Sequence, residues 1–283
     1  MEGEATIADM LREAQTRLAA SDSARLDAEV LLCAALGVPR TALYAQSEQA
    51  LPLPVRARYR RLVAARLRGL PVAQLTGQRE FWSLTLHVNE HTLIPRPETE
   101  HLVEAALERL PKMDAVNIAD LGTGTGAVAV ALASERPHCR VVATDVCEHA
   151  LAIAQRNAQC HGLTNISFRK GSWYEPLGEI KLDLIVSNPP YVASGDPLLG
   201  QGDVRFEPRL ALVAGIEGLD ALRIVIEGAR SRLRCGGWLL VEHGHEQGAA
   251  VRMLMQQSGF GRIESVLDLA GHERVTAGWQ QRR

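Results

Sequence analysis

Asp120-Leu121-Gly122-Thr123-Gly124-Thr125-Gly126 decides the fold. A strand pattern over 116–121 runs into this stretch, and a helical pattern over 126–134 leaves it. Glycines at such a corner let the backbone turn sharply and let a ligand approach the main chain closely. The helix that follows presents unpaired N–H groups at its start. A second strand over 140–145 ends in Asp145, about 20 residues beyond the loop, where a carboxylate can accept both ribose hydroxyls of an adenosine. Strand, glycine loop, helix and acid in this order point to an adenosine-containing cofactor. Two cofactor classes remain open on the loop alone. Gly122, Gly124 and Ala127 satisfy the dinucleotide spacing G-x-G-x-x-G/A. Asp120 suits the amino-acid end of S-adenosyl-L-methionine and would repel a pyrophosphate, so the methyl donor is favoured.

Downstream, helix and strand patterns alternate. Helices are expected over 97–110, 148–161, 219–233 and 246–258. Further strands are expected over 166–170, 182–187, 238–242, 262–268 and 273–279. Alternation of this kind gives an α/β fold with right-handed crossovers and a mainly parallel sheet. Ligands then bind at the carboxyl ends of the strands, near the switch in strand order. The last two strands have only a short link and must pair antiparallel if they pair. Trp173, just after the third strand, is placed to pack on an adenine ring, with core or lid packing as the alternative.

Upstream, residues 6–69 read as helices. Ile7, Met10, Leu11, Ala14 and Leu18 form one stripe; Leu26, Val30, Leu31 and Ala34 form another, closed by Gly37 and Pro39. Pro52 and Pro54 open a further helix with Val55, Tyr59, Leu62, Val63 and Leu67 on its apolar face. That helix also carries Arg56, Arg58, Arg60, Arg61, Arg66 and Arg68, with no acid between Glu48 and Glu80. A solvated face is one reading and a docking patch for an acidic or RNA-bound partner is the other. Phe81–Val88 alternates as a strand, Asn89-Glu90 as a turn, and Leu93-Ile94 as the return of a hairpin. The expected division is a helical domain over 1–75, a hairpin linker over 76–96 and a cofactor-binding domain over 97–283.

Leu182–Ser187 is a buried-strand run that ends in Asn188-Pro189-Pro190-Tyr191. Methylating a planar amide or aromatic amine is difficult because the nitrogen lone pair is delocalised. A site must hold the NH₂ group and draw off positive charge as the new bond forms. The side-chain oxygen of Asn188 can accept one N–H and the backbone carbonyl of Pro189 the other. The two prolines stiffen the corner and bring no N–H of their own. Tyr191 can stack on the planar group. Acceptors aimed at growing charge, together with alignment, are the expected source of catalysis.

The rest of the chain excludes other classes. Of 283 residues, 46% are hydrophobic and 23% charged, which is globular usage and not that of a disordered or collagen-like chain. The net charge of -2 gives no global field for nucleic acid. The acidic opening MEGEATIADM is unlike a secretory signal. The purest apolar run, Ala127–Ala133, falls far short of the roughly 20 residues that span a bilayer. Cys33, Cys139, Cys147, Cys160 and Cys235 are odd in number and form no CxxC pair, which fits reduced thiols in the cytoplasm. Glu242-His243-Gly244-His245 offers an H-x-H with no evident third ligand, so no metal is expected. Pro95–Glu100 starts a helix with acids in its first turn, for which capping is a sufficient reason, and a place beside the substrate cleft is also open.

LIPRPETE at 93–100, DLGTGTGAVAVALA at 120–133, DLIVSNPPYV at 183–192, FEPRLALVAGIEGLD at 206–220 and LVEHGHEQG at 240–248 resemble the HemK/PrmC methyltransferases. The likeness extends through PVAQLTG at 71–77 to DLAGHERV at 268–275. It implies a class I, Rossmann-like, seven-stranded methyltransferase domain behind a small N-terminal helical domain that helps to dock the substrate. It implies methylation of the glutamine side-chain amide in the Gly-Gly-Gln motif of class-1 peptide-chain release factors, in the cytoplasm, with no stable nucleic-acid partner and no membrane. By motif position, Gly122, Thr123, Gly124, Thr125, Gly126, Asp145, Trp173 and Asn188 would contact S-adenosyl-L-methionine, and Asn188, Pro189, Pro190 and Tyr191 would hold the amide. Leu75 and Cys147 depart from the common pattern without touching that chemistry. Asn-Pro-Pro-Tyr is also shared with DNA adenine methyltransferases, so an adenine-directed enzyme acting on DNA or RNA is the alternative, using the same acceptors on a flipped base. A catalytically silent adaptor is a third reading, opposed by the intact glycine loop, Asp145 and Asn188.

Overall fold

A computed structural model describes residues 5–281, so the first four residues of the acidic opening lie outside it. The chain divides into two compact units. One takes the chain up to Gln78 and adds Gly200–Phe206; the other takes Arg79–Leu199 and everything from Glu207 onward.

The first unit contains α1 (Ile7–Arg17), α2 (Ala24–Leu36), α3 (Arg40–Ala45), α4 (Leu53–Leu67) and α5 (Val72–Thr76). A capping box between Thr6 and Asp9 starts α1, and its stripe of Ile7, Met10, Ala14 and Leu18 is buried as expected. Gly37 ends α2 in the left-handed conformation. The expected α2 stripe is out of phase. Leu26 is exposed, while Ala28, Leu31, Leu32 and Ala35 form the inner face. This helix is apolar around most of its circumference, so periodicity alone does not choose a face. Its inner side also carries two carboxylates, Asp27 and Glu29, which would be costly to bury unpaired. Arg66 Nε donates to Asp27 at 2.8 Å; Arg25 Nε and the Tyr44 hydroxyl donate to Glu29 at 3.0 and 2.8 Å.

The arginine-rich helix α4 is therefore not one uniform surface. Arg56 is buried, Arg66 is spent on internal pairs, and Arg60 reaches Glu13 at 3.4 Å. Arg58, Arg61 and Arg68 stay exposed. Leu67, expected on the apolar face, is also exposed.

The second unit begins with a hairpin, but not the expected one. β1 (Gln78–Phe81) and β2 (Leu84–His87) turn on Trp82-Ser83. Both residues take positive φ, 53° and 57°, as a type I′ turn requires. Neither is glycine, and their alternation with Leu84 and Leu86 imitates a continuous strand. Side-chain bonds hold the turn: Trp82 N–H donates to Glu100 at 2.8 Å, and its indole donates to Glu135 at 2.9 Å. Leu93-Ile94 forms no strand.

A seven-stranded sheet follows, from β3 (Asn117–Leu121), β4 (Arg140–Asp145), β5 (Ile166–Lys170), β6 (Leu182–Ser187), β7 (Leu233–Glu242), β8 (Gly261–Leu267) and β9 (Glu273–Trp279), in the order β5-β4-β3-β6-β7-β9-β8. β3 pairs in parallel with β4 and β6, and β9 runs antiparallel between β7 and β8. Helices α6 (Glu100–Arg109), α7 (Ala127–Glu135), α8 (Glu148–Cys160), α9 (Asp220–Arg232) and α10 (Gly248–Gln257) cover it. Alternate strand residues serve two cores. Ile118, Val141 and Leu184 pack with α6 and α7; Ala119, Val142 and Ile185 pack in the other core, with α9 and α10. The chain steps outward from β3 to β5 and then returns to β6 on the other side of β3. That reversal opens a crevice at the carboxyl ends of β3 and β6.

Candidate active site

A cavity of about 530 Å³ occupies this crevice, within the range of small-molecule sites. The glycine loop forms one wall. Gly122 and Gly126 have φ of 72° and 79°, and a Cβ on Gly126 would sit 2.9 Å from that of Ala154. A Cβ on Gly122 would meet the Trp173 ring at 3.4 Å. The loop thus lies flat beneath Trp173 and packs the start of α7 against α8. Trp173 lines the cavity, and the Thr144 hydroxyl donates to its carbonyl at 3.1 Å.

Asp145 stands at the end of β4, held by backbone. Gly124 N–H donates to one oxygen at 2.9 Å and Cys147 N–H to the other at 2.8 Å. Each carboxylate oxygen keeps a second lone pair for a ligand hydroxyl. Burial raises the Asp145 pKa. Asp120 is 2% exposed, accepts the Thr123 hydroxyl at 2.5 Å and lines the same cavity. Burial pushes its carboxyl up to about 7, and the charge of Asp145 acts in the same direction. An acidic group beside a glycine loop fits the α-ammonium of the amino-acid end of S-adenosyl-L-methionine. The flat loop under Trp173 and the spare lone pairs of Asp145 fit its adenosine.

Asn188 and Pro190 line the opposite wall. The Asn188 side-chain N–H donates to Thr99 Oγ1 at 3.1 Å, which turns its oxygen away from Thr99. Pro189 is buried and Tyr191 half-buried, and neither is part of the cavity lining. The Tyr191 hydroxyl donates to Glu242 Oε1 at 3.2 Å, and Gln247 Nε2 donates to the Tyr191 carbonyl at 3.0 Å. Ser187 Oγ, one residue before Asn188, donates to the Leu121 carbonyl at 2.7 Å and ties the end of β6 to the end of β3. The corner is therefore fixed from both sides.

Three residues of this framework were not singled out from the sequence. Thr99 lies in the stretch for which capping is a sufficient reason, yet its hydroxyl caps no helix and faces Asn188 instead. Glu242, at the end of β7, is 1% exposed and is pushed up to about 7 by burial. Arg96 lines the cavity and donates to Glu207 at 2.6 Å. All three sit in segments that carried the family resemblance, which is the signal that could have found them. His243 is buried with both ring nitrogens engaged, Nδ1 on the Gly244 carbonyl and Nε2 on the Thr276 hydroxyl. Among the described residues no group of three or more His, Cys, Asp or Glu side chains is placed to hold a metal ion.

The family model described as the PrmC N-terminal domain matches residues 9–77, and that of the methyltransferase small domain matches 100–199. The release factor glutamine methyltransferase of Xylella fastidiosa (strain Temecula1) is 52% identical over 254 residues, covering 90% of this chain and 92% of that protein. The protein of the same name from Escherichia coli (strain K12) is 48% identical over 268 residues, covering 95% and 96%. Among solved structures, the T. thermophilus 16S rRNA N2 G1207 methyltransferase in complex with AdoMet and guanosine has a TM-score of 0.53 and 22% identity. It covers 72% of this chain and 50% of that one, a likeness of fold alone.

Proposed function

The chain belongs to the release factor glutamine methyltransferase family, and from that premise we propose that its cavity methylates the glutamine side-chain amide in the Gly-Gly-Gln motif of class-1 peptide-chain release factors. S-adenosyl-L-methionine, when bound, supplies an electrophilic methyl group. Gly122–Gly126, Asp145 and Trp173 would hold its adenosine, and Asp120 its amino-acid end.

The amide is handled by the corner after β6. Asn188 Oδ1 and the Pro189 carbonyl each accept one N–H of the substrate NH₂, which fixes the plane of the amide. Among the described residues no hydrogen bond occupies either oxygen, and Asn188 lines the cavity, so its oxygen is open to a substrate. As the nitrogen gains positive charge, both bonds strengthen, and this differential binding lowers the barrier. One amide proton is then lost to water, so no dedicated base is required. Pro190 stiffens the corner. Tyr191, through Glu242, anchors it. The single observation that carries this reading is the hydrogen bond from Asn188 to Thr99, because it leaves the acceptor end of Asn188 for the substrate.

We assign docking of the release factor to the first unit, where Arg58 and Arg61 on α4 and Arg68 at its C-terminal end are exposed. No helix among the described residues is long and apolar enough to cross a membrane. We propose the cytoplasm as the place of action and neither nucleic acid nor membrane as a partner. Transfer of a labelled methyl group to purified release factor tests the reading. A factor whose motif glutamine is replaced by alanine, and DNA alone, should take up no label. Label on DNA, or on the alanine variant, would replace this reading with another.

A further inference from the structure

An asparagine amide has nearly the same shape with its oxygen and nitrogen exchanged. Nothing in Asn188 itself chooses which end faces the cavity. With the nitrogen inward it would offer a donor to another donor, and the acceptor would be lost. The choice must come from the neighbour, Thr99. Thr99 Oγ1 has one hydrogen and two lone pairs. It accepts from Asn188 Nδ2 at 3.1 Å, so its own hydrogen is free for another acceptor. Glu242 is the acceptor at hand: its Oε2 is buried with no hydrogen-bond partner among the described residues, and the Thr99 hydroxyl favours its charged form, although no Thr99–Glu242 bond is closed in the structure. Oε1 takes the Tyr191 hydroxyl from the far end of the same corner.

We propose that Glu242 is the positioning residue for the amide acceptor: its carboxylate claims the Thr99 hydrogen and thereby forces Asn188 to turn its oxygen into the cavity. The inference rests on the reading that Asn188 Oδ1 receives the substrate N–H. A charged carboxylate only accepts, so it sets the direction of the whole relay. A protonated Glu242 can donate to Thr99 instead. That frees the Thr99 hydrogen for the oxygen of a flipped Asn188, and both orientations become allowed. Around this carboxylate, Tyr191 and Arg274 on β9 favour the charged form and Glu98 opposes it. Arg96 and Arg274 bias the Tyr191 hydroxyl that bonds to it. Burial pushes the group up to about 7, so the relay changes its protonation near neutral pH.

The test uses the full chain with S-adenosyl-L-methionine and whole release factor. kcat and KM are measured across neutral pH for wild type, Glu242→Gln, Thr99→Ser and Thr99→Val. The amide introduced by Glu242→Gln can donate where the carboxylate only accepts. That variant should therefore lower kcat about 10- to 100-fold, the scale of a misaligned reacting group. KM for the release factor and cofactor affinity should stay within about twofold, and the fall in wild-type kcat toward acid pH should disappear. Thr99→Ser should keep most of the wild-type kcat, and Thr99→Val should behave as Glu242→Gln does. The threonine pair decides the matter alone if Glu242→Gln does not fold. Wild-type kcat and pH profile in Glu242→Gln, or equal rates in Thr99→Val and Thr99→Ser, would overturn the relay. Failure of the wild type to label the glutamine would overturn the underlying reading and the relay with it.

Discussion

Arg66 on α4 meets Asp203 at 2.8 Å across 137 residues of sequence. The same guanidinium holds the buried Asp27 through Nε. One arginine thus neutralises an internal carboxylate and ties Gly200–Phe206 into the helical unit. The two pairs differ in worth. Removing Arg66 leaves Asp27 buried without its cationic partner and held only by the Ser21 and Ser23 hydroxyls, so Arg66→Ala should cost roughly 3 kcal/mol. Asp203 is 38% exposed in its side chain, so Asp203→Ala should cost about 1 kcal/mol or less. Urea unfolding of the two variants checks the difference. Equal losses would mean that Asp27 does not depend on Arg66.

Gly126 is the point where the loop enters α7. Its φ of 79° and the 2.9 Å approach that a Cβ would make to Ala154 predict that Gly126→Ala loses roughly 2 kcal/mol or more. Thermal unfolding measures this. A loss under about 0.5 kcal/mol would show that α7 and α8 can separate to admit a methyl group.

Asp120 predicts a pH dependence with a definite sign. Its folded pKa of about 7 stands above the ordinary 3.8, so the native state keeps a proton that the unfolded chain has released. The stability contributed by this group is complete below about pH 4 and is lost as pH rises through about 7. Asp120→Asn does not titrate. Its stability relative to wild type should therefore rise by roughly 1 to 3 kcal/mol from about pH 5 to about pH 8. Glu242 shares the trend but cancels in the difference, since both proteins contain it. A flat difference would mean that Asp120 is ionised throughout.

The exposed arginines on and just after α4 make a separate prediction. Reversing Arg58, Arg61 and Arg68 to glutamate should raise KM for whole release factor about 10-fold or more, with cofactor affinity unchanged and with weaker dependence on salt. Unaltered KM would assign docking to another surface.

Much of this was legible in the sequence, and for identifiable reasons. β4, β5, β6 and β9 form over 140–145, 166–170, 182–187 and 273–279 as expected, because strands bounded by turns and buried on one or both faces leave little freedom in their limits. The glycine turn between β3 and α7 was legible because glycines at positive φ have few substitutes. Three features were not. The α2 face was hidden by leucines and alanines on all sides, and what fixes it is a pair of buried acids, Asp27 held by Arg66 from α4 and Glu29 held by Arg25 of the same helix and by Tyr44. The hairpin turn was hidden because Trp82 and Ser83 adopt a conformation usually given to glycine or asparagine. The places of Thr99 and Glu242 were hidden because a hydroxyl and a carboxylate read as a helix start and a strand end until the fold brings Thr99 to Asn188 and Glu242 to Tyr191.

The measurement closest to the central claim is the single-turnover rate of Asn188→Ala on whole release factor at saturating S-adenosyl-L-methionine, with cofactor binding followed separately. The rate should fall about 100- to 1,000-fold, as when one pre-aimed hydrogen-bonding group is lost from a transition state, while the fold and cofactor affinity persist. A rate within about threefold of wild type would contradict the claim that this side chain receives the glutamine amide.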